Sequence, residues 1–308
     1  MSTIVRSDKT TTLLWAATAL VMLMAGAAMV PGVGTVLLVL QVAFVLLHGA
    51  HRYGWRAIGV YVLASLVISN ILENLSIATG FPFGDYHYTG GGKIFEVPWL
   101  IGPSYLATGY LAWVVATVLL GEVGRTSPWL TTIGTPVIAA FAMTAWDLAL
   151  DPGAATINHF WIWENGGGFF GVPLQNFLGW TFTVYLFMQV FALYLQRRGP
   201  FPRTGLDRAT ASDLQAVLLY AATTIRFYAA FFSGERTTVT DAVGTVWRTG
   251  DIYETGVVVT IYGMSLLALL ALLRIAQRQS TPPTPKTRAV TVIQQAQADP
   301  TMRVRVMP

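Results

Sequence analysis

The chain has 308 residues, 54% hydrophobic and 11% charged, with a mean hydropathy of +0.56 and a formal net charge of +4. Soluble domains carry about 25% charged residues, so this composition supplies several membrane spans rather than one buried core. Cysteine is absent, which excludes disulfides, thiolate metal sites and cysteine nucleophiles, and the four histidines (His48, His51, His87, His159) are too few for a His-rich di-iron centre.

Apolar runs bounded by polar or Gly/Pro breaks predict eight spans, near 12–30, 33–47, 57–79, 98–120, 129–150, 173–195, 213–233 and 254–274. Only Pro31-Gly32 separates the first two, and merging or dropping one leaves a seven-span alternative. Arg6, Lys9 and Ala25-Gly26-Ala27 also have the outline of a signal peptide. A retained helix is preferred, because another apolar segment follows at once. With the N-terminus inside, inner segments hold fifteen of the nineteen basic residues and outer loops only Lys93, Arg236 and Arg248, with Arg226 left inside a helix. The pI near 9.4 is then a topology signal rather than a sign of nucleic-acid binding. Both termini are expected on the cytoplasmic side of a cell membrane. Residues 1–278 read as one transmembrane domain, and 279–308, with Thr281-Pro282-Pro283-Thr284-Pro285, as a disordered cytoplasmic tail.

Two outer loops match without a gap at an offset of 75 residues. One runs Tyr86-His87-Tyr88-Thr89-Gly90-Gly91-Gly92-Lys93-Ile94-Phe95-Glu96-Val97-Pro98. The other runs Trp161-Ile162-Trp163-Glu164-Asn165-Gly166-Gly167-Gly168-Phe169-Phe170-Gly171-Val172-Pro173. Alternating aromatics around a glycine turn predict a short β-hairpin in each loop, and proline suits the first turn of the helix that follows. Residues 57–120 and 129–195 then form two helix–hairpin–helix units running in the same direction, a parallel repeat. The fold class is all-α polytopic membrane protein, with two outer-face hairpin loops.

Three ionisable residues lie well inside predicted spans, where each costs about 2.5–3.5 kcal/mol on insertion scales: Glu73, Asp147 and Arg226. At about 1.5 Å per residue they sit roughly 24, 27 and 20 Å above the inner ends of their helices, all in the outer half of the bilayer. Asn70, Glu73 and Asn74 share one helical face, as do Thr144, Asp147 and Asp151. Ser104, Tyr105, Gln175 and Asn176 enter from the same side. Arg226 is expected to pair with one carboxylate and leave the other free. The loop acids Asp85 and Glu164 are weaker candidates, and His48 and His51 are assigned to an interfacial turn at the opposite face. No metal site is expected.

Several of these segments carry a resemblance. Glu73-Asn74-Leu75-Ser76-Ile77-Ala78-Thr79-Gly80-Phe81-Pro82-Phe83-Gly84-Asp85-Tyr86, Pro98-Trp99-Leu100-Ile101-Gly102-Pro103, Trp146-Asp147-Leu148-Ala149-Leu150-Asp151-Pro152 and Val172-Pro173-Leu174-Gln175-Asn176-Phe177-Leu178-Gly179-Trp180 resemble the integral-membrane carotenoid hydratases. That family includes γ-carotene/lycopene 1,2-hydratases and the C50 bisanhydrobacterioruberin hydratase, and the resemblance covers roughly residues 35–275. It implies a hydro-lyase that adds water to the terminal isopropylidene double bond of an acyclic carotenoid (lycopene, γ-carotene or a C50 carotenoid) within the lipid bilayer. Neither a redox cofactor nor nucleic acid is implied.

Hydrating such an alkene needs a carboxylic acid that keeps its proton, a polar group to hold water, and aromatic faces for the tertiary cation. Asp147, beside Trp146 and one turn below Asp151, is the first choice of acid, and Glu73 the second. Asp151, Asn74, Gln175 and Asn176 are candidates to hold water, and Tyr86, Tyr88, Trp161 and Trp163 to cover the end group. Rival readings are a carotenoid cyclase, which shares the first proton transfer, and a membrane prenyltransferase, suggested by Asp147-x-x-x-Asp151. A transporter or carotenoid-binding scaffold is the non-enzyme alternative, although no Gly/Pro-interrupted spans stand in matching positions.

Overall fold

The structure, a computed structural model, describes residues 9–25, 32–198 and 206–280. In chain order the elements begin α1 (Lys9–Ala25), α2 (Val33–Tyr53), α3 (Trp55–Thr79), β1 (Tyr86–Tyr88), β2 (Lys93–Ile94), β3 (Val97–Pro98) and α4 (Ile101–Leu119). Next come α5 (Trp129–Asp151) with a π-helical extension over Pro152–Ile157, β4 (Trp161–Trp163), α6 (Leu174–Arg198), α7 (Leu206–Ala222) and α8 (Ile225–Ser233). The chain continues through β5 (Thr238–Thr240), β6 (Val246–Arg248), α9 (Thr249–Val259), a π-helical stretch Thr260–Ser265 and α10 (Leu266–Ser280). Apart from residues 279 and 280, which close α10, the predicted tail lies outside the described residues.

The protein is an all-α polytopic membrane protein. Among the described residues seven helical segments are long and apolar enough to span, and α1, at 17 residues, is shorter but packs against α2 and α7. The predicted first pair is therefore two separate helices. Gly54, at φ 84°, reverses the chain between α2 and α3 in a single residue, a backbone angle that glycine adopts without steric penalty. Helix α4 lies at the centre, with every residue from Tyr105 to Val118 buried, and α2, α3, α5, α7 and α10 pack around it. Outward positions such as Val39, Leu63 and Phe141 stay exposed and apolar, as a lipid-facing surface requires.

The helices of the two expected units make matching contacts. Helix α3 lies on α6 as α4 lies on α5, the pattern that a two-fold between the α3–α4 and α5–α6 units would give. Tyr105 and Trp180, separated by the same 75 positions, stack face to face at 4.4 Å with an 8° interplanar angle. The strands differ from expectation. The aromatic segments do not fold back within their own loops; β1 pairs antiparallel with β4, Tyr86 opposite Trp163, His87 opposite Ile162 and Tyr88 opposite Trp161. At the 75-residue offset Tyr86 thus faces the counterpart of Tyr88, Tyr88 that of Tyr86, and His87 its own, a self-complementary register of the kind a two-fold generates. The only pairing within each loop is the short β2–β3 ladder and the Phe169–Val172 bridge. An isolated two-stranded hairpin is marginal in water. Pairing across the units buries Tyr86, Tyr88 and Trp163, which a separate hairpin would leave without cover.

Two further differences concern charge and continuity. Far from the strands, Arg52 is buried rather than solvated. It donates to Asp213 (2.5 Å), Thr117 (3.0 Å) and Tyr53 (2.7 Å) and forms an ion pair with Glu122. Arg278 completes the group through Asp213 (3.2 Å) and the Val118 carbonyl (2.6 Å). His48, expected in an interfacial turn, is fully buried between the Tyr110 hydroxyl (2.7 Å) and Ser212. These contacts tie α2, α4, α7 and α10 together, because buried charge is stable only when paired. The seventh predicted span, 213–233, is interrupted at Thr223–Thr224 without glycine or proline. The two threonine hydroxyls turn back onto the Tyr220 (2.7 Å) and Ala221 (2.6 Å) carbonyls, which also accept the Thr223 and Thr224 backbone amides in a tightened turn.

Candidate functional site

Beneath the β1–β4 pair lies a cavity of about 560 Å³, walled by α1, α2, α3, α4, α5, α6, α8 and α9. Two acidic groups reach its lining, Glu73 from α3 and Asp151 from the end of α5. The sequence marks both: Glu73 lies inside a predicted span, and Asp151, just past one, shares a helical face with Asp147. The partners that hold them come from elsewhere in the chain.

Glu73 is 3% exposed and accepts three phenol hydrogen bonds. Tyr86 and Tyr88 donate to Oε2, the latter at 2.9 Å, and Tyr105 donates to Oε1 at 2.8 Å. Alternation along β1 sends Tyr86 and Tyr88 inward and leaves His87 outside, where it meets Glu164 at 2.5 Å. Burial, reinforced by the neighbouring Glu73 carboxyl, lifts both strand phenols well above the ordinary tyrosine range. They therefore stay protonated and keep donating. Tyr105 is the member of this set that the sequence reading left without a role.

Asp147 and Asp151 are each 1% exposed and stand one turn apart on α5. A single amide, Nδ2 of Asn176 at the start of α6, donates to both, to Oδ2 of Asp147 at 3.2 Å and to Oδ2 of Asp151. Trp161 Nε1 donates to the other Asp151 oxygen at 2.7 Å. The opposed oxygen of Asp147, Oδ1, is buried and has no hydrogen-bond partner among the described residues. Asp151 lies on the cavity wall; Asp147 stands behind it.

The strand pair couples the two acidic groups. Tyr88 and Trp161 are cross-strand partners in edge contact at 5.9 Å, one donating to Glu73 and the other to Asp151. Tyr86 and Trp163, also partners, approach to 4.9 Å. With Trp146 and Trp180 below, aromatic rings border the cavity above and below the acids.

Of the other predicted site residues, Arg226 reaches the cavity wall but forms no ion pair with either acid. Its guanidinium sits 5.5 Å from the Phe227 ring centre. That expectation is corrected: three phenols take both Glu73 oxygens, Asn176 and Trp161 take those of Asp151, and the open oxygen of Asp147 lies behind the cavity wall that Arg226 reaches. Asn74 is turned away, bonded to the Asn70 carbonyl (2.8 Å) and accepting from the Glu96 amide (3.0 Å), so it fixes the β2–β3 loop. Gln175 donates to the Gly80 carbonyl at 2.7 Å, and Asp85 accepts from Asn165 at 3.0 Å. With Glu164, these stand outside the cavity lining.

Comparison with known proteins adds a second line. A family described as carotenoid biosynthesis protein matches residues 33–246, from the start of α2 into β6, and takes in every residue of the acid site. The chain is also similar to the bisanhydrobacterioruberin hydratase of Haloarcula japonica, at 30% identity over 149 residues. That alignment covers 47% of this chain and 48% of the relative, so the chain spans about half the length of the curated relative it matches. No solved structure matches.

Proposed function

The chain belongs to the carotenoid biosynthesis protein family, and on that premise we propose that it is a carotenoid hydratase, adding water across the terminal isopropylidene double bond of an acyclic end group. The observation that carries the proposal is a pair of carboxyls sharing one amide donor, opening onto an apolar cavity roofed by tryptophan and tyrosine. An alkene offers no lone pair or hydrogen-bond handle, so catalysis needs a proton held next to it in a place bulk water does not flood.

The steps follow from the side chains. A carboxyl proton moves to the less substituted alkene carbon, forming a C–H bond and a tertiary cation. Water attacks the cation, and its surplus proton returns to a carboxylate; the sum is alkene plus water to tertiary alcohol. Asp147 and Asp151 stand one turn apart and both accept from Asn176, and the reaction asks one proton of the pair. Asp151, on the lining, is the member that touches the substrate, and Asp147 behind it is the reservoir. This reverses the order suggested by the sequence, where Asp147 came first. Glu73, accepting from three phenols, supplies negative charge toward the cation, and the rings of Tyr86, Tyr88, Trp161 and Trp163 add their negative faces.

A carotenoid cyclase would use the same first proton transfer and lose a proton instead of gaining water, so product mass separates the two. Diphosphate–metal chemistry at Asp147 and Asp151 is the less suited alternative, because an amide and an indole N–H already address those oxygens. The proposed orientation puts both termini on the cytoplasmic side, with the strand pair opposite. The test is expression in a lycopene-accumulating host with mass spectrometry of extracted pigments. Asp151→Asn is expected to lower hydration by about 10²–10⁴-fold, the usual worth of a general acid, while the protein still inserts. Unchanged conversion by that variant would remove Asp151 from the acid role.

A further inference from the structure

The cavity has a second polar region that the chemistry at Asp151 leaves unused. Arg226 and Thr223 stand in its wall, on either side of the α7–α8 break and within the seventh span. A guanidinium carries five N–H donors and no acceptor. Among the described residues, no carboxylate or carbonyl accepts from Arg226, and its contact is the Phe227 ring. An unpaired cation at membrane depth is costly unless it reaches a water-filled space.

The break points the same way from the backbone. Irregular chain inside a membrane is stable where it is buried in protein or lines a water-filled cavity. Here both threonine hydroxyls are spent on the Tyr220 and Ala221 carbonyls, and Thr224 gives α8 no side-chain cap. The turn is closed by its own backbone bonds, Thr223 N–H to the Leu219 and Tyr220 carbonyls, Thr224 N–H to Ala221 and Phe227 N–H to Thr224, so the donors that this wall offers the cavity are those of Arg226. A donor-rich guanidinium and a non-helical turn share one wall of the cavity, and oxygen lone pairs are what would match the guanidinium. The hydrocarbon end of an acyclic carotenoid has none. Water has two.

We infer that Arg226 and the Thr223–Thr224 break form the water-holding end of the cavity, from which the nucleophile of the hydration is drawn. The inference rests on the hydratase reading and assigns Arg226 a positioning role: it holds water and leaves the proton transfer at Asp151 untouched. Protonation and capture therefore come apart. In D₂O a deuterated carboxyl forms a C–D bond and the tertiary cation. Loss of a proton from an adjacent methyl to the carboxylate returns an alkene carrying deuterium, whereas capture by water gives the alcohol.

The experiment compares full-length wild type, Arg226→Met and Arg226→Lys in lipid nanodiscs, supplied with an acyclic hydrocarbon carotenoid in D₂O. Mass spectrometry reads alcohol and deuterated alkene separately. Arg226→Met is expected to raise the ratio of exchanged alkene to alcohol by about ten- to a hundred-fold, the worth of a hydrogen bond to a charged donor, with Arg226→Lys restoring part of it. Equal loss of exchange and hydration would overturn the proposal, as would hydration within about two-fold of wild type. Impairment confined to carotenoids that bear a hydroxyl or keto group would assign Arg226 to a substrate oxygen and also overturn it. Hydroxyl-radical labelling gives a readout without turnover. Phe227 and Tyr253, which line the same cavity, should be labelled in wild type and protected in Arg226→Met. Wild type that labels but yields neither alcohol nor exchange would sink the hydratase reading and leave the water site standing; wild type that does not label would sink the water site itself.

Discussion

The two ends of this helix bundle hold buried charge in opposite ways. At the end away from the strands, Arg52 and Arg278 meet Asp213 and Glu122, so each carboxylate faces a guanidinium. Beneath the strands, Glu73, Asp147 and Asp151 are held by phenols, an amide and an indole, and no cation pairs with them among the described residues. Opposite charges in contact neutralise each other and lock helices. Acids surrounded by neutral donors keep their reactivity and face a cavity. Burial alone does not mark a site; the kind of partner does.

That contrast is open to attack by mutation. The largest effect should come from the acid pair, where Asp151→Asn lowers hydration by about 10²–10⁴-fold with little change in thermal stability. Arg52→Met should do the reverse. It removes the nearer of the two guanidinium contacts to Asp213 and the ion pair with Glu122, and costs about 3–5 kcal/mol of stability, read as a lower unfolding temperature in detergent, while the product of surviving enzyme stays the same. A smaller loss is expected for Tyr105→Phe, which removes one phenol donor from Glu73 and should slow turnover by about ten-fold. Gln175→Ala and Glu164→Gln, outside the cavity lining, should leave turnover near wild type and change stability by about 0.5 kcal/mol or less. An Arg52 variant that altered the product, or an Asp151 variant that chiefly unfolded the protein, would erase the distinction between the two ends.

Much of this was legible in the sequence, and the exceptions share a cause. Spans follow from runs of apolar residues; Glu73 and Asp147 stand out because a charge in such a run is expensive, and Asp151 because it shares a helical face with Asp147. The 75-residue offset reveals the repeat, and Asn176 and Trp161 could be named from their position beside it. What could not be read was who partners whom across the repeat. Alternating aromatics predict strands, but whether Tyr88 pairs within its loop or with Trp161 is decided only when helices α3 to α6 pack and bring the two loops together. The Arg52–Asp213 pair links residues 161 positions apart, and beside His51 and Arg56 the arginine looks like one more interfacial anchor. Arg226 was expected to pair because its depth matched the acids; depth says nothing about which way around the bundle a side chain points. The break at Thr223–Thr224 uses neither glycine nor proline, so the residues that usually announce an interruption are missing.

The central claim is that the acids beneath the strands deliver a proton to an alkene and that water captures the result. Mass spectrometry of pigments from a lycopene-accumulating host expressing the wild-type chain tests it most directly. The account predicts a product heavier than its substrate by one water per reacted end, absent when Asp151→Asn is expressed at equal level. A product of unchanged mass, or a hydrated product that persists in the Asp151→Asn cells, would contradict it.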